Sequence, residues 1–291
     1  PELSALPGIT WMQCDLLDVF AVEEAMEGIT DIYHCAAIVT FDRDKKEAML
    51  HFNPTATANI VNHALVQDVR KMVYVSSVAA LGRTGEQSKH ITEEEEWGES
   101  RYNSAYGVSK YLAENEVWRG IGEGLDAVIV NPGIIIGPGY GHDLAFRMMR
   151  LAQKEFPFYS KGVASFVGVD DVVKIMVSLM SSDQQAVRFI VSAGNYSFRE
   201  VFTLMAEALS KKPPRIYANS FMTGLAWRLS SLRAWLTGKN SIVTRATVNN
   251  ASSVCLYDNR KLLHAMPGFS YQPINTSIGL MARSFMDFNK K

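Results

Sequence analysis

The chain has 291 residues, of which 47% are hydrophobic and 20% charged, and its formal net charge is −1. That is enough apolar material for a buried core, and the balanced charge gives no electrostatic reason to expect a nucleic-acid partner. Its three cysteines, Cys14, Cys35 and Cys255, have no close pairing and no metal-ligand spacing, which excludes a disulfide framework and a local metal knuckle. Cys14 and Cys35 lie in apolar runs and are expected as buried thiols of a protein in a reducing cytoplasm.

Taken in order, residues 10–14 read as a strand, 19–26 as a helix and 31–35 as a second strand. A helix follows over 53–66, with Asn53-Pro54 as an ordinary helix-start signal. Lys71-Met72-Val73-Tyr74-Val75-Ser76-Ser77 is a β-branched and aromatic run ending in two hydroxyls, so a buried strand is expected to carry Ser77 to its tip. The stretch 78–103 is long enough for a functional loop, and its acidic run 93–96 is expected to be solvated. A helix over 104–118 precedes a strand at 127–130, which runs into Asn131-Pro132-Gly133 and then Gly137-Pro138-Gly139. Strand, helix, strand is the order of a parallel sheet, whose ligands lie at the carboxyl ends of its strands.

Further on, Phe166-Val167-Gly168-Val169-Asp170-Asp171 introduces another helix, with Asp170 or Asp171 as its N-cap. Residues 189–193 form a short strand. The stretch 220–238 is apolar but contains Arg228 and Arg233, which argues against a membrane span. Phe221, Leu225, Leu229, Leu232 and Leu236 share a helical face, with Trp227 and Trp235 off it. A core-packed helix over the substrate pocket is the main expectation, and a membrane-surface helix the alternative.

Tyr106-Gly107-Val108-Ser109-Lys110 carries the chemistry. Helical spacing places a phenol and an ammonium on one face. A phenol with a pKa of about 10 needs roughly 4 kcal/mol of help to exchange a proton near neutrality, and an adjacent ammonium supplies part of it. The spacing recurs at Tyr257 and Lys261, where Asp258-Asn259 signals a turn and no serine-bearing strand precedes, so that copy reads as structural.

These residues resemble the extended short-chain dehydrogenase/reductases, also called the NAD-dependent epimerase/dehydratase family. Asp15-Leu16 is similar to the family's adenine-contacting Asp-Leu, and His34-Cys35-Ala36-Ala37 to its His-x-Ala-Ala. Asn53 to Asn59 is similar to Asn-Val-x-Gly-Thr-x-Asn, with Ala56 in place of the glycine, and Ser77, Tyr106 and Lys110 match its catalytic triad. Within the family the likeness is to the dihydroflavonol reductase, cinnamoyl-CoA reductase and 3β-hydroxysteroid dehydrogenase branch.

The resemblance implies an α/β, Rossmann-type doubly wound parallel sheet with a smaller carboxyl-terminal lobe. Residues 1–137 would be a partial NAD(P)-binding domain, and 138–291 a substrate lobe interleaved with the last sheet strands. It implies Ser77, Tyr106 and Lys110 as catalytic residues. Asp15, Leu16, Ala36, Ala37, Asn53, Tyr106, Lys110 and Pro132 are the implied contacts of NAD or NADP, with no metal. The family's first strand and Gly-x-x-Gly-x-x-Gly turn have no counterpart here, so the resemblance implies a longer parent protein. Two glycine clusters could be mistaken for a substitute: 120–124 ends a helix and carries Glu123, and 137–141, the better candidate because it follows a strand, is placed by the resemblance on the substrate side of the nicotinamide.

The implied activity is hydride transfer between nicotinamide and a ketone or secondary alcohol of a hydrophobic or CoA-like small molecule. A nucleotide-sugar epimerase or dehydratase is one alternative, and a noncatalytic NAD(P)-binding sensor or scaffold another. Phe156, Phe158, Phe166, Trp227 and Trp235 suggest an apolar pocket. His34 reads as a structural strand residue, and His142 as a candidate for the pocket lining. The family's habit implies a homodimer through the helices containing Asn53 and Ser104.

Overall fold

The computed structural model describes residues 7–40, 44–82, 90–98, 100, 103–139, 143–219 and 252–288. The expected helix at 220–238, with Trp227 and Trp235, lies outside the described residues, as does His142.

A four-stranded parallel sheet forms the frame: β1 (Asp31–His34), β2 (Lys71–Val75), β4 (Ala127–Pro132) and β8 (Val187–Val191), in spatial order β1-β2-β4-β8. Alternation along each strand sorts side chains to two faces. Met72, Tyr74 and Ile129 pack with Val22 of α1 (Val19–Met26), Ile60 and Val61 of α2 (Lys46–Val66), and Ala113 and Val117 of α3 (Ala105–Gly122). Val73, Val128, Val130 and Phe189 pack instead with Val172, Ile175 and Leu179 of α5 (Val169–Met180). Helices on both faces make the sheet doubly wound, and burial on both sides explains why β2 and β4 read as continuous apolar runs.

The amino end of the sheet is closed. Lys71 is buried, and its ammonium donates to the carbonyls of Ser182 and Gln184, both at 2.7 Å.

A second sheet joins β5 (Ile134–Ile136), β7 (Val163–Gly168) and β9 (Gly194–Ser197), the last pair antiparallel. Its core unites Ile136 and Phe166 with Phe146 and Met149 of α4 (Leu144–Gln153), Val201 and Met205 of α6 (Phe198–Ala208), and Met281 and Phe285 of the last helix (Ile274–Phe288). Short parallel pairs join β3 (His90–Ile91) to β11 (Leu256–Tyr257) and β6 (Phe158–Tyr159) to β10 (Ile216–Tyr217).

Several expectations need correcting. Residues 10–14 form no strand: Trp11 and Met12 are exposed, and the segment does not join the sheet, whose edge on that side is β1. Without a ladder partner, β propensity alone does not make a strand. Helix α2 starts at Lys46, and Pro54 lies inside it, because Met49 is fully buried and anchors the earlier turns to the core. Glu93 is buried rather than solvated, its carboxylate accepting from the backbone N–H of Ile190 at 2.8 Å. Gly168, not an aspartate, caps α5, while buried Asp171 accepts from the Gln272 N–H at 2.9 Å. Cys35 is exposed just beyond the end of β1, and Phe166 belongs to the core packed on the second sheet rather than to a pocket wall.

Candidate active site

Parallel strands bring their carboxyl ends to one edge, and the singled-out residues gather there. Ser77 follows β2 with extended backbone, φ −162° and ψ 152°, and caps the short turn Val78–Leu81 by accepting from the Ala79 N–H at 3.2 Å. Helix α3 begins immediately below, capped by Ser104, whose hydroxyl accepts from the Gly107 N–H at 3.0 Å. Gly107 lets helix and turn meet, since a Cβ there would lie 2.7 Å from the Ala79 carbonyl oxygen. Tyr106 is thereby brought toward Ser77, whose hydroxyl favours ionisation of the phenol.

Tyr106 and Ser77 are half-buried, so both reach the surface, whereas Lys110 is buried one turn behind. Its ammonium donates to the Tyr74 hydroxyl and the Val75 carbonyl, each at 2.8 Å. Loss of solvent brings the Lys110 pKa down to about 8, against the opposing charge of Glu114 and, more weakly, Cys35. Burial raises the Tyr106 phenol above its ordinary value, and the Ser77 hydroxyl opposes that rise. The site therefore holds a protonated phenol beside a hydroxyl, with an ammonium behind them.

Asn53 is buried and ties three pieces together. Its Oδ1 accepts from the Ile38 N–H at 2.7 Å, and its Nδ2 donates to the Ile38 carbonyl and the Ser109 hydroxyl, both at 3.0 Å. The segment after β1 is thus held over α3, with Ala36 exposed and Ala37 half-buried beside it. Pro132 is buried at the end of β4, next to Asn131, whose Nδ2 donates to the Ser77 carbonyl at 3.0 Å. Asp15 and Leu16 lie farther along: Asp15 is exposed and accepts from the Leu17 N–H, and the Leu16 carbonyl accepts from Asn59 of α2 at 2.8 Å.

Sequence reasoning missed Tyr74, Thr57 and Glu114. Thr57 donates to the Asn53 carbonyl at 2.8 Å and lies 3.1 Å from His34 Nε2. His34 is buried, which lowers its pKa to about 3 with help from the Lys110 charge, so its ring is neutral at physiological pH. Glu114 was signalled only by its position four residues after Lys110.

Neither glycine cluster makes a phosphate cradle among the described residues. Glu123 is paired with Arg119, and Gly124, at φ +110°, ends α3. A Cβ at Gly137 would strike Val169, and one at Gly139 would strike the Asp143 carboxylate, which caps α4. The second Tyr-x-x-x-Lys spacing is split, with Tyr257 buried in β11 and Lys261 on a separate helix, where it pairs with Glu94.

A doubly wound parallel sheet with a serine, tyrosine and lysine at its carboxyl edge defines a nucleotide-dependent oxidoreductase class. Residues 2–192 match the model of the NAD dependent epimerase/dehydratase family, and the chain belongs to that family. It is 25% identical over 221 residues to sterol demethylase protein B of Methylococcus capsulatus, covering 74% of this chain and 66% of that protein. To tetraketide alpha-pyrone reductase 2 of Arabidopsis thaliana it is 27% identical over 218 residues, covering 69% of this chain and 67% of the relative. The crystal structure of gox2253 superposes with a TM-score of 0.78 at 26% identity, covering 95% of this chain and 84% of the other.

Proposed function

We propose that this chain carries the proton-transfer set of an NAD(P)-dependent oxidoreductase that interconverts a ketone and a secondary alcohol on a hydrophobic or CoA-like substrate. The observation that carries this reading is the half-buried Tyr106 phenol, set toward the Ser77 hydroxyl at the strand tip and backed by the Lys110 ammonium one helical turn on. NAD or NADP fits the donor set: small Ala36 and Ala37 leave room at the tip of β1, and Lys110 spends only two of its three N–H donors on the partners described. Asp15, Leu16, Asn53 and Pro132 complete the proposed binding residues.

The nicotinamide supplies the hydride in reduction and accepts it in oxidation. In reduction Tyr106 gives its proton to the substrate oxygen, and Ser77 donates a hydrogen bond to that oxygen as negative charge develops there. Lys110, an ammonium below its pKa of about 8, stabilises the phenolate left behind. Burial keeps the phenol protonated until a substrate oxygen arrives.

The Phe156–Phe158 ring pair, with Phe156 exposed, supports an apolar substrate within the lobe proposed for 138–291, as against the nucleotide domain proposed for 1–137. A nucleotide-sugar epimerase or dehydratase is the second reading, supported as far as its reaction type by the epimerases and dehydratases for which the family is named. We also propose a homodimer through the outer faces of α2 and α3, where Val66 and Leu112 are exposed, and a cytoplasmic location, in keeping with three free cysteines. Among the described residues no helix is long and apolar enough to cross a membrane.

The test is NADH and NADPH oxidation with aromatic ketones, acyl-CoA thioesters and nucleotide sugars, using Tyr106→Phe as control. Ketone-dependent oxidation lost in the variant is expected; sugar-nucleotide turnover alone would favour the second reading, and cofactor binding without turnover a sensor. Sedimentation at high concentration checks the dimer.

A further inference from the structure

Glu114 lies one helical turn beyond Lys110 on α3 and is only 2% exposed. Its Oε2 accepts from Ser76 Oγ at 2.6 Å and from Asn131 Nδ2 at 2.8 Å. Its Oε1 accepts from Arg188 Nη1 at 3.0 Å and Trp118 Nε1 at 3.3 Å. Four donors from four segments converge on one carboxylate.

Two of those donors lead to the reacting serine. Ser76 is its chain neighbour, and Asn131, bonded to Glu114, also donates to the Ser77 carbonyl. Arg188 fixes the far side, its guanidinium also donating to the carbonyls of Glu93 and Glu95. A buried ion pair is a weak source of stability, since well-packed apolar residues often serve as well. The connections to Ser77 and Lys110 give this carboxylate a functional reason to be there.

We propose that Glu114 is a positioning residue of the reaction, which holds Ser77 at the strand tip and provides the counter-charge of the buried Lys110 ammonium. This rests on Ser77, Tyr106 and Lys110 being the reacting set. The groups facing Lys110 are Tyr74 from β2, His34 and Cys35 at the end of β1, and Glu114 from α3, with Tyr106 one turn before Lys110 on the same helix; Arg188 faces Glu114 from β8.

The two ways of disturbing Lys110 have opposite signs. Removing the carboxylate charge disfavours the ammonium and lowers its titration midpoint, whereas merely loosening the site admits water and raises it toward the ordinary 10.5. Lys110 Nζ is followed by NMR in the full ¹⁵N-lysine-labelled chain, its signal assigned by absence in Lys110→Gln.

Glu114→Gln should move the midpoint down by about one pH unit, and Glu114→Asp should restore most of it. If Glu114→Gln does not fold, the pair Glu114→Gln/Arg188→Met removes both members of the Glu114–Arg188 ion pair and is compared with Arg188→Met alone, where the same downward direction is expected. An unchanged or raised midpoint overturns the proposal. In ketone reduction the alkaline limb of kcat/KM should move down with the midpoint. A shifted midpoint in a protein without turnover would sink the enzymatic reading but keep the coupling, whereas turnover with an unshifted midpoint would sink the role given to Glu114.

Discussion

The Lys110 ammonium donates to the hydroxyl of Tyr74 at 2.8 Å and lies 4.5 Å from the centroid of the same ring. The aromatic residue of β2 is thus both acceptor and cation-binding face for the charge behind Tyr106. Tyr74→Phe keeps the face and removes the acceptor. A hydrogen bond to a charged group contributes about 1.5–3 kcal/mol, so the Lys110 midpoint should fall by one unit or more below its value of about 8. The alkaline limb of kcat/KM should fall with it; a limb that stays in place would show that Tyr74 only fills space.

Ser77→Ala removes the hydroxyl toward which the Tyr106 phenol is set and the cap of the following turn. Loss of one donor to a developing oxyanion typically costs 10²–10³ in turnover, while a lost cap costs only about 1 kcal/mol of stability. We expect a fall in kcat of about a hundredfold with cofactor affinity retained, measured by steady-state kinetics and fluorescence titration of NAD(P)H. A fall of less than about threefold would remove Ser77 from the reacting set.

Gly107→Ala tests the approach of α3 to the turn after Ser77. The added methyl carbon would lie 2.7 Å from the Ala79 carbonyl oxygen, a backbone atom that cannot rotate away. Helix and turn must separate, at a cost of about 1–3 kcal/mol by the usual scale of overpacking. Because Ser77 and Tyr106 sit on opposite sides of that contact, kcat should fall along with the denaturation midpoint. A destabilised but fully active variant would show that the two side chains can be realigned.

That Ser77, Tyr106 and Lys110 gather at the carboxyl edge was legible because strand periodicity and helical spacing are local. The β2 run ends at Val75 just before Ser77, and Tyr106 and Lys110 need only α3 to share a face. What the sequence hid was contact between distant segments. Nothing local says that Glu93 will find the Ile190 N–H, or that Glu114 will gather Ser76, Asn131 and Arg188. The start of α2 was missed because Asn53-Pro54 imitates a helix start, whereas burial of Met49 decides the real one. Residues 10–14 failed in the opposite sense, carrying strand-like residues with no neighbouring strand to pair with.

His34 makes the fold sensitive to acid. In the unfolded chain its imidazole takes a proton as pH falls through 6.5, but in the folded protein burial and the Lys110 charge delay protonation to about 3. Between those values the unfolded state binds more protons, so the contribution of His34 to stability is present above 6.5 and lost as pH falls toward 3. His34→Gln keeps a donor for the Thr57 hydroxyl, 3.1 Å away in the native protein, and cannot titrate. Its acid-unfolding midpoint, followed by circular dichroism, should lie at lower pH than that of the native chain. At pH 8 the variant should be less stable by about 1 kcal/mol for imperfect packing. Coincident acid transitions in the two proteins would mean that another buried group governs acid unfolding.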